Sequence, residues 1–357
     1  MIALRLYSDN LIKCLYMNFL KIKDFVKANN FPSYRLNQIR QGVFVDGKSN
    51  WQDIKTLPKN LQEALNRNFK ILSFDLVKLQ SSKLDRVFKA LLKLHDGPKI
   101  ETVLMKPGKF WSVCVSSQAG CPLGCAFCAT GKLGFKRNLT AEEISDQVLF
   151  WHQFLQKDFK GEHVSNIVFM GMGEPLLNYP EVKQAVEILS NKDYLNIGKR
   201  HISISTSGIA DKFENLAKEL PQVNLALSLH NADNKQRSAL MPINRKYNLD
   251  IIKKELENYL KLNAREVFLE YTVIDGVNNL PAHIRKLGKW INSFKDNYLL
   301  HVNLIACNEA TSKAKTPPIA AVYAFAEALE KMNIKVTVRK SLGSDISAAC
   351  GQLAAKN

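Results

Sequence analysis

The sequence has no apolar run approaching the roughly 18–20 residues that a bilayer-spanning helix needs, which argues against a membrane protein. The opening stretch "MIALRLYSDNLIKCLYMNFLK" is broken by Arg5, Asp9 and Lys13. It therefore lacks the continuous apolar core of a secretory signal, and a cytoplasmic protein is expected. Translation could start at Met1 or at Met17. Neither an internal repeat nor a low-complexity segment is present, which sets aside repeat architectures and tail-like disorder. Acidic residues are scarce: 33 Asp and Glu stand against 50 Lys and Arg, for a net charge of +17. That imbalance favours a polyanionic partner, nucleic acid first, over an acid-loving surface; the plainer reading is a solvated basic face.

What remains is ordinary for a globular chain, with 46% hydrophobic and 23% charged residues. The length suits one large domain plus a small one. Residues 1–100 read as helical and basic. "NFLKIKDFVKANN" and "LPKNLQEALNRNFK" space their apolar residues at helical intervals, and "HDGPK" (95–99) reads as a linker. From about residue 101, β-rich runs alternate with helical ones. The strand candidates are 111–117, 166–171, 201–206, 224–229, 267–274, 301–306 and 335–340. Helical stretches separate most of them, one opening with the Thr140–Glu143 capping-box pair. Repeated βα units predict an α/β fold with a parallel sheet curved into a full or partial barrel. In such a barrel the site lies at the C-terminal strand ends. Those ends here carry the loop after strand 1, "GMGEP" (171–175), "STSG" (205–208), "SLHN" (228–231), Asn308, and the stretch from Gly343 to Cys350.

Seven cysteines cannot all pair, and three of them crowd one glycine-punctuated loop, "AGCPLGCAFCATGKLG". Metal binding or redox chemistry is expected rather than a disulfide scaffold. Cys121, Cys125 and Cys128 form C-x-x-x-C-x-x-C. A closed zinc site wants four protein ligands, and the loop has three. Cys114, in an extended strand, should lie far from its centre. An iron–sulfur cubane held by three thiolates would keep one iron open for a small molecule; zinc and free thiols remain alternatives.

With Phe127 before its last cysteine, this array resembles the radical S-adenosylmethionine (SAM) signature. "VCVSSQAGCPLGCAFCATG", "GMGEPLLN", "ISTSG", "LALSLHNA", "MPINRKY", "VNLIACN" and "DISAACGQLA" resemble, in order, the RlmN/Cfr family of RNA adenine methyltransferases. The likeness covers about residues 17–353. It implies a radical-SAM (β/α) partial barrel over residues 99–357, a small helical RNA-binding domain over 17–98, and an extension at 1–16.

By this resemblance Cys121, Cys125 and Cys128 would bind a 4Fe–4S cluster whose open iron chelates SAM, two SAM being used per turnover. Gly173, Glu174, Ser205, Ser228, Leu229, His230 and Asn308 would contact SAM. A glycine admits close backbone approach, a carboxylate suits an ammonium, and hydroxyls and amides suit a ribose and base. Cys350 would be methylated by one SAM. A radical from the second SAM would take hydrogen from that methyl group, and the resulting carbon radical would add to adenine. Cys114 would then attack the Cys350 sulfur, releasing methylated RNA and leaving a disulfide that reduction resets. Glu101 would be the general base for the ring proton. Taken alone, Cys114 and Cys350 read as buried small hydrophobes and Glu101 as a surface carboxylate.

The implied substrate is an adenine of 23S rRNA, with tRNA as a further substrate, methylated at C2. The implied electron donor is a flavodoxin or ferredoxin, and the chain is expected to be a monomer. The alternatives are C8 methylation conferring antibiotic resistance, a zinc-bound RNA-binding protein without chemistry, and a methylthio-transferring radical-SAM enzyme. Phosphate contacts are expected from the basic N-terminal region, with Arg40 and Trp51 as candidates, and from 131–138. The sequence departs from the family at Ala306–Cys307 and in the loop that follows, where Cys307 reads as buried filler.

Overall fold

The computed structural model describes residues 15–16, 19–308 and 315–355. The alternative start Met17, nearly all of the 1–16 extension, and residues 309–314 of the departing loop lie outside the described residues. The chain divides into two compact units, Met1–Ser73 and Phe74–Asn357.

In the first unit, strand β1 (Leu15–Tyr16) pairs in parallel with β2 (Phe69–Lys70). Between them lie helices α1 (Phe19–Ala28), α2 (Arg35–Arg40) and α3 (Lys59–Asn68). Their apolar stripes bury Ile22, Val26, Ile39, Leu61 and Leu65. Trp51 belongs to this core. It is 2% exposed and donates its indole N–H to the carbonyl of Phe69 at 2.7 Å, so its expected role as an RNA contact is corrected. The Arg40 guanidinium lies over the Phe19 ring, 5.9 Å from its centroid.

The second unit is built on one ten-stranded sheet. It begins with β3 (Phe74–Ser81), β4 (Val87–Leu94) and β5 (Lys99–Met105), antiparallel to one another. The helical reading of residues 1–100 is therefore corrected over 74–94, and the unit boundary falls at 73/74 rather than 98/99. "HDGP" is the turn between β4 and β5, not a linker. Gly97 takes φ +107°, and Leu94 N donates to the Pro98 carbonyl at 2.8 Å. Lysines at 78, 89 and 93 had disguised the strand pattern. β4 is nevertheless buried along nearly its whole length between its two neighbours, and β3 is an exposed, bulged edge.

Strand β6 (Trp111–Cys114) runs antiparallel to β5 and starts the parallel part. A separate two-stranded piece follows, β7 (Gln118–Gly120) with β8 (Phe135–Asn138), flanking helix α4 (Ala129–Lys132). Helix α5 (Ala141–Asp158) has the expected Thr140–Glu143 capping box. Strands β9 (Val164–Phe169), β10 (Ile202–Thr206), β11 (Asn224–Ser228), β12 (Val267–Val273), β13 (Leu300–Ala306) and β14 (Lys335–Arg339) then pair in parallel, in that order from β6. Helices α6 (Tyr179–Ser190), α7 (Phe213–Glu219), α8 (Asn234–Leu240), α9 (Leu249–Asn263), α10 (Pro281–Asn292) and α11 (Ile319–Glu330) occupy the connections. All seven expected strands are present, in a parallel βα arrangement of the partial-barrel kind.

The sheet's edges, β3 and β14, do not pair with each other, yet the chain after β14 reaches the β3–β4 turn. Lys340 Nζ lies 3.1 Å from Asp85 Oδ1, and Gly343 N donates to Asp85 Oδ2 at 3.1 Å. The Asp345 carboxylate accepts from Ser82 Oγ and Lys83 N. The sheet therefore curves, and the C-terminal segment spans its open side.

Candidate active site

The C-terminal ends of the parallel strands surround one cavity. It is lined by Cys121, Cys125 and Cys128, by Gly173 and Glu174, by Ser205, Ser228 and His230, and by Asn308 and Cys350. Glu270, Thr272, Met241 and Cys307 complete much of its wall.

The cysteine loop is pinched at its base. Gly120 takes φ +79°, and a Cβ there would lie 1.8 Å from the carbonyl oxygen of Gly134. That carbonyl accepts from Cys121 N at 3.1 Å. The far side is tied by Ala126 N to the Leu240 carbonyl and by Ala129 N to the Gly351 carbonyl. Phe127 meets the His230 ring edge-on at 4.8 Å. Burial pushes the Cys121 thiol up to about 12, and Cys125 higher still, with Cys128 adding to both. Those two thiols hold their protons until a metal displaces them. Among the described residues no three His, Cys, Asp or Glu side chains converge as a single metal ion would require. A cubane that takes one iron per thiolate makes no such demand, so three half-buried thiols on one cavity wall suit it.

Glu174 is 2% exposed, and burial raises its carboxyl against the pull of the Ser207 amide. Its Oε2 accepts from Ser207 N at 2.7 Å and its Oε1 from Leu176 N at 3.1 Å. Gly173 lines the cavity at φ +100°, and a Cβ there would fall 2.5 Å from Cβ of Gln118. Its glycine is thus required by packing on the neighbouring loop. The hydroxyls of Ser205 and Ser228 are 3.3 Å apart on adjacent strands. His230, at φ +54°, accepts at Nδ1 from Thr272 N at 2.9 Å, and burial lowers its pKa to about 3. Leu229 is fully buried and outside the lining, its carbonyl taken by Arg237. Asn308 Nδ2 donates to the Cys350 carbonyl at 3.3 Å.

Cys350 is exposed to the cavity yet enclosed by protein, and burial raises its thiol while Arg339 opposes the rise. Cys114 ends β6 outside the lining, 6% exposed. Burial pushes its thiol up to about 12, and the next influence is Cys350, so the two sulfurs are electrostatic neighbours. No disulfide joins them. Glu101 also stays outside the lining. Its Oε1 pairs with Lys89 Nζ at 2.9 Å, and its Oε2 accepts from Ala354 N and Ala355 N at 2.7 and 2.9 Å. It is 2% exposed, not a surface group. Cys307 is 2% exposed and packs with Leu240, Met241 and Ile274, as filler does.

Sequence reasoning missed three groups. Arg237 is wholly buried and donates to the carbonyls of Leu229 (3.0 Å), Ser207 (2.8 Å) and Ser228 (3.1 Å), and to Asn244 Oδ1 (2.8 Å). It thereby ties the ends of β10 and β11 together. Glu270 faces the cavity, held by Asn303 Nδ2 at 2.9 Å and by Arg339 at 3.1 Å. Lys89 braces the C-terminal segment. Arg237 stood four residues before the quoted "MPINRKY" and carried the faintest signal, a lone arginine in the short polar helix α8.

A model of the radical SAM superfamily matches residues 115–287. The ribosomal RNA large subunit methyltransferase Cfr of Bacillus velezensis is 40% identical over 342 residues, 94% of this chain and 95% of that protein. The chain belongs to the RlmN/Cfr family of radical-SAM methyltransferases. The protein of the same name from Staphylococcus aureus is 39% identical over 338 residues, 93% of this chain and 95% of that one. The crystal structure of a radical SAM methyltransferase from Sphaerobacter thermophilus superposes with a TM-score of 0.88 at 36% identity, covering 95% of this chain and 98% of that one. The family's cofactors are a 4Fe–4S cluster and SAM, and the three thiols of the cavity fit the cluster.

Proposed function

We propose that this chain methylates ring carbon C2 of an adenine in 23S rRNA, and also in tRNA, through a methyl group carried on Cys350. The observation that carries the reading is the meeting of Cys350 with Cys121, Cys125, Cys128 and Glu174 around one cavity, with Cys114 as the electrostatic neighbour of Cys350. An adenine C–H has no lone pair to attack a methyl sulfonium, so a radical route is required. When bound, the cluster and SAM supply the methyl group and a 5′-deoxyadenosyl radical.

The protein's residues do the rest. Cys121, Cys125 and Cys128 hold the cluster. Gly173, Glu174, Ser205, Ser228, His230 and Asn308 orient SAM. Cys350 Sγ carries the methyl group, the carbon that has lost a hydrogen atom joins the ring, and the unpaired electron then on the ring returns to the oxidised electron carrier as the ring proton leaves. Glu101 accepts the ring proton after the amides of Ala354 and Ala355 release its carboxylate. The Cys114 thiolate attacks Cys350 Sγ, the bond from that sulfur to the transferred carbon breaks with its electron pair on carbon, that carbon takes up a proton to complete the methyl group, and a Cys114–Cys350 disulfide remains for reduction. Arg339, whose charge favours both thiolates, aids those steps. The basic first unit and the 131–138 lip bind RNA phosphates, a flavodoxin or ferredoxin supplies electrons, and the enzyme works as a cytoplasmic monomer.

A second reading, methylation at C8, is favoured by the name Cfr borne by the relatives above. The motif "DISAACGQLA" and the turn "GMGEPLLN" favour C2. One experiment separates the two. Anaerobically reconstituted protein is given reductant, methyl-deuterated SAM and unmodified rRNA or tRNA, and the nucleosides are read by mass spectrometry. 2-Methyladenosine with two deuterons on its methyl group supports the C2 route through Cys350; 8-methyladenosine moves the chain to the resistance branch.

A further inference from the structure

The three antiparallel strands β3, β4 and β5 lie outside the parallel barrel and contribute no residue to the cavity lining. They nevertheless grip the C-terminal segment along its length. The β3–β4 turn holds 340–345 through Asp85, Ser82 and Lys83. Further along, Lys89 Nζ on β4 donates to the Ser347 carbonyl at 3.1 Å. Three residues beyond comes Cys350. After it, Thr130 Oγ1 holds the Leu353 carbonyl at 2.7 Å, and Glu101 on β5 holds the amides of Ala354 and Ala355. Lys89 and Glu101 are neighbours across the β4–β5 pair and share an ion pair, 6% and 2% exposed. One buried charge pair thus holds the chain on both sides of Cys350.

A buried ion pair brings little net stability, because both charges must leave water. This one is also aimed. Lys89 has a second acceptor in Ser347, whose φ of +52° is a conformation that side chains other than glycine rarely adopt. The strained turn and the cation meet at the same carbonyl.

We propose that Lys89 is a positioning residue that fixes the Cys350 segment over the cavity, directly through Ser347 and, until the ring proton is taken up, indirectly by holding Glu101 on residues 354–355. The catalytic half of this proposal rests on the methyl-carrier reading of Cys350. The local half, that Lys89 orders the segment, does not. Neither reacting atoms nor cofactor touch Lys89, so its loss misplaces the thiol without emptying the site. Misplacement by about 1 Å can cost on the order of 100-fold in rate.

The test uses full-length Lys89→Met and Lys89→Arg. Hydrogen exchange by mass spectrometry reads residues 341–355 against strands β9–β13. Steady-state kinetics read kcat and KM for an RNA fragment, and absorbance and 5′-deoxyadenosine report the cluster and SAM cleavage. Lys89→Met should speed exchange in the segment alone and lower kcat by about 10- to 100-fold, with KM, cluster and SAM cleavage unchanged. Lys89→Arg should recover most of that loss. Unchanged exchange in the segment overturns the proposal, as does a loss of kcat shared equally by Lys89→Arg or paralleled by loss of cluster. If Lys89→Met does not fold, the double variant Lys89→Met/Glu101→Gln leaves no unpaired buried charge, and exchange alone decides. Full activity of Cys350→Ala would sink the methyl-carrier reading, while the exchange result would still decide whether Lys89 holds the segment.

Discussion

Gly120 and Gly134 approach so closely that a Cβ on Gly120 would lie 1.8 Å from the Gly134 carbonyl oxygen. The contact closes the loop that carries the three cavity thiols, and Gly120 at φ +79° closes it in a conformation that favours glycine. Gly120→Ala must therefore open the β7–β8 pinch. We expect a protein that folds but retains iron poorly after anaerobic reconstitution, with a stability loss of about 1–3 kcal/mol from backbone strain alone. Gly108→Ala is the control, because a Cβ there would meet nothing within 4 Å. Iron per chain and thermal midpoint check both; full iron loading in Gly120→Ala would contradict the argument.

Arg237 supports the SAM wall through four hydrogen bonds and touches no cavity space of its own. Burial lowers its pKa only to about 10, so it remains charged at neutral pH. Arg237→Met takes away the donors to the Ser207 and Ser228 carbonyls and to Asn244 Oδ1, at about 1–3 kcal/mol for each acceptor left unpaired, while the Leu229 carbonyl keeps the Asn231 amide. The expected result is a loss of about 3 kcal/mol or more in urea unfolding of the apoprotein, together with weaker SAM binding by equilibrium dialysis. Arg237→Lys should restore little, since an ammonium lacks the planar fork that reaches several acceptors.

His230 gives the fold an acid sensitivity. Its pKa falls from 6.5 when unfolded to about 3 in the folded protein, first through burial and then through the Arg237 charge. Between those values the unfolded chain carries the proton and the folded one does not. Its stabilising contribution is thus complete above pH 6.5 and is lost as pH falls toward 3. The slope is at most about 1.4 kcal/mol per pH unit. His230→Asn keeps an acceptor for Thr272 N and tolerates φ +54°. In urea titrations from pH 7 to 4 this variant should lose stability less steeply, by up to about one proton. An identical slope would show that His230 does not titrate this way.

Legibility followed burial. The seven parallel strands were readable because burial on both faces leaves short, nearly continuous apolar runs such as "NLALSL" and "HVNLIA". β3–β5 were not, because lysines interrupt them and one of those, Lys89, is buried for a reason that lies 258 residues away at Ser347. Trp51 was misread because exposure cannot be seen in sequence. The cysteine array was legible from spacing as metal or redox chemistry, while the roles of Cys114, Cys350 and Glu101 came only with the family motifs. Arg237 and Glu270 were invisible because their partners are backbone carbonyls and side chains on distant strands.

Cys350 and Cys114 carry the sharpest prediction, since the same proposal assigns them opposite failures. Without the Cys350 thiol no methyl group can be held, so Cys350→Ala should lose RNA methylation while keeping its iron and its cleavage of SAM. Without the Cys114 thiol the methyl group still loads and still joins adenine, but nothing attacks the Cys350 sulfur to release it. Cys114→Ala should therefore accumulate RNA bound covalently to protein, visible as a nuclease-sensitive band above the free protein in a denaturing gel. Both thiols are held in the high-pKa form by burial, with Arg339 the cation that opposes it. Arg339→Met should accordingly slow methyl loading and adduct release together. Its own failure would look different from either cysteine variant: reduced turnover, with neither a dead carrier nor a complete trap. Equal behaviour of Cys350→Ala and Cys114→Ala would remove the distinction between carrier and resolver.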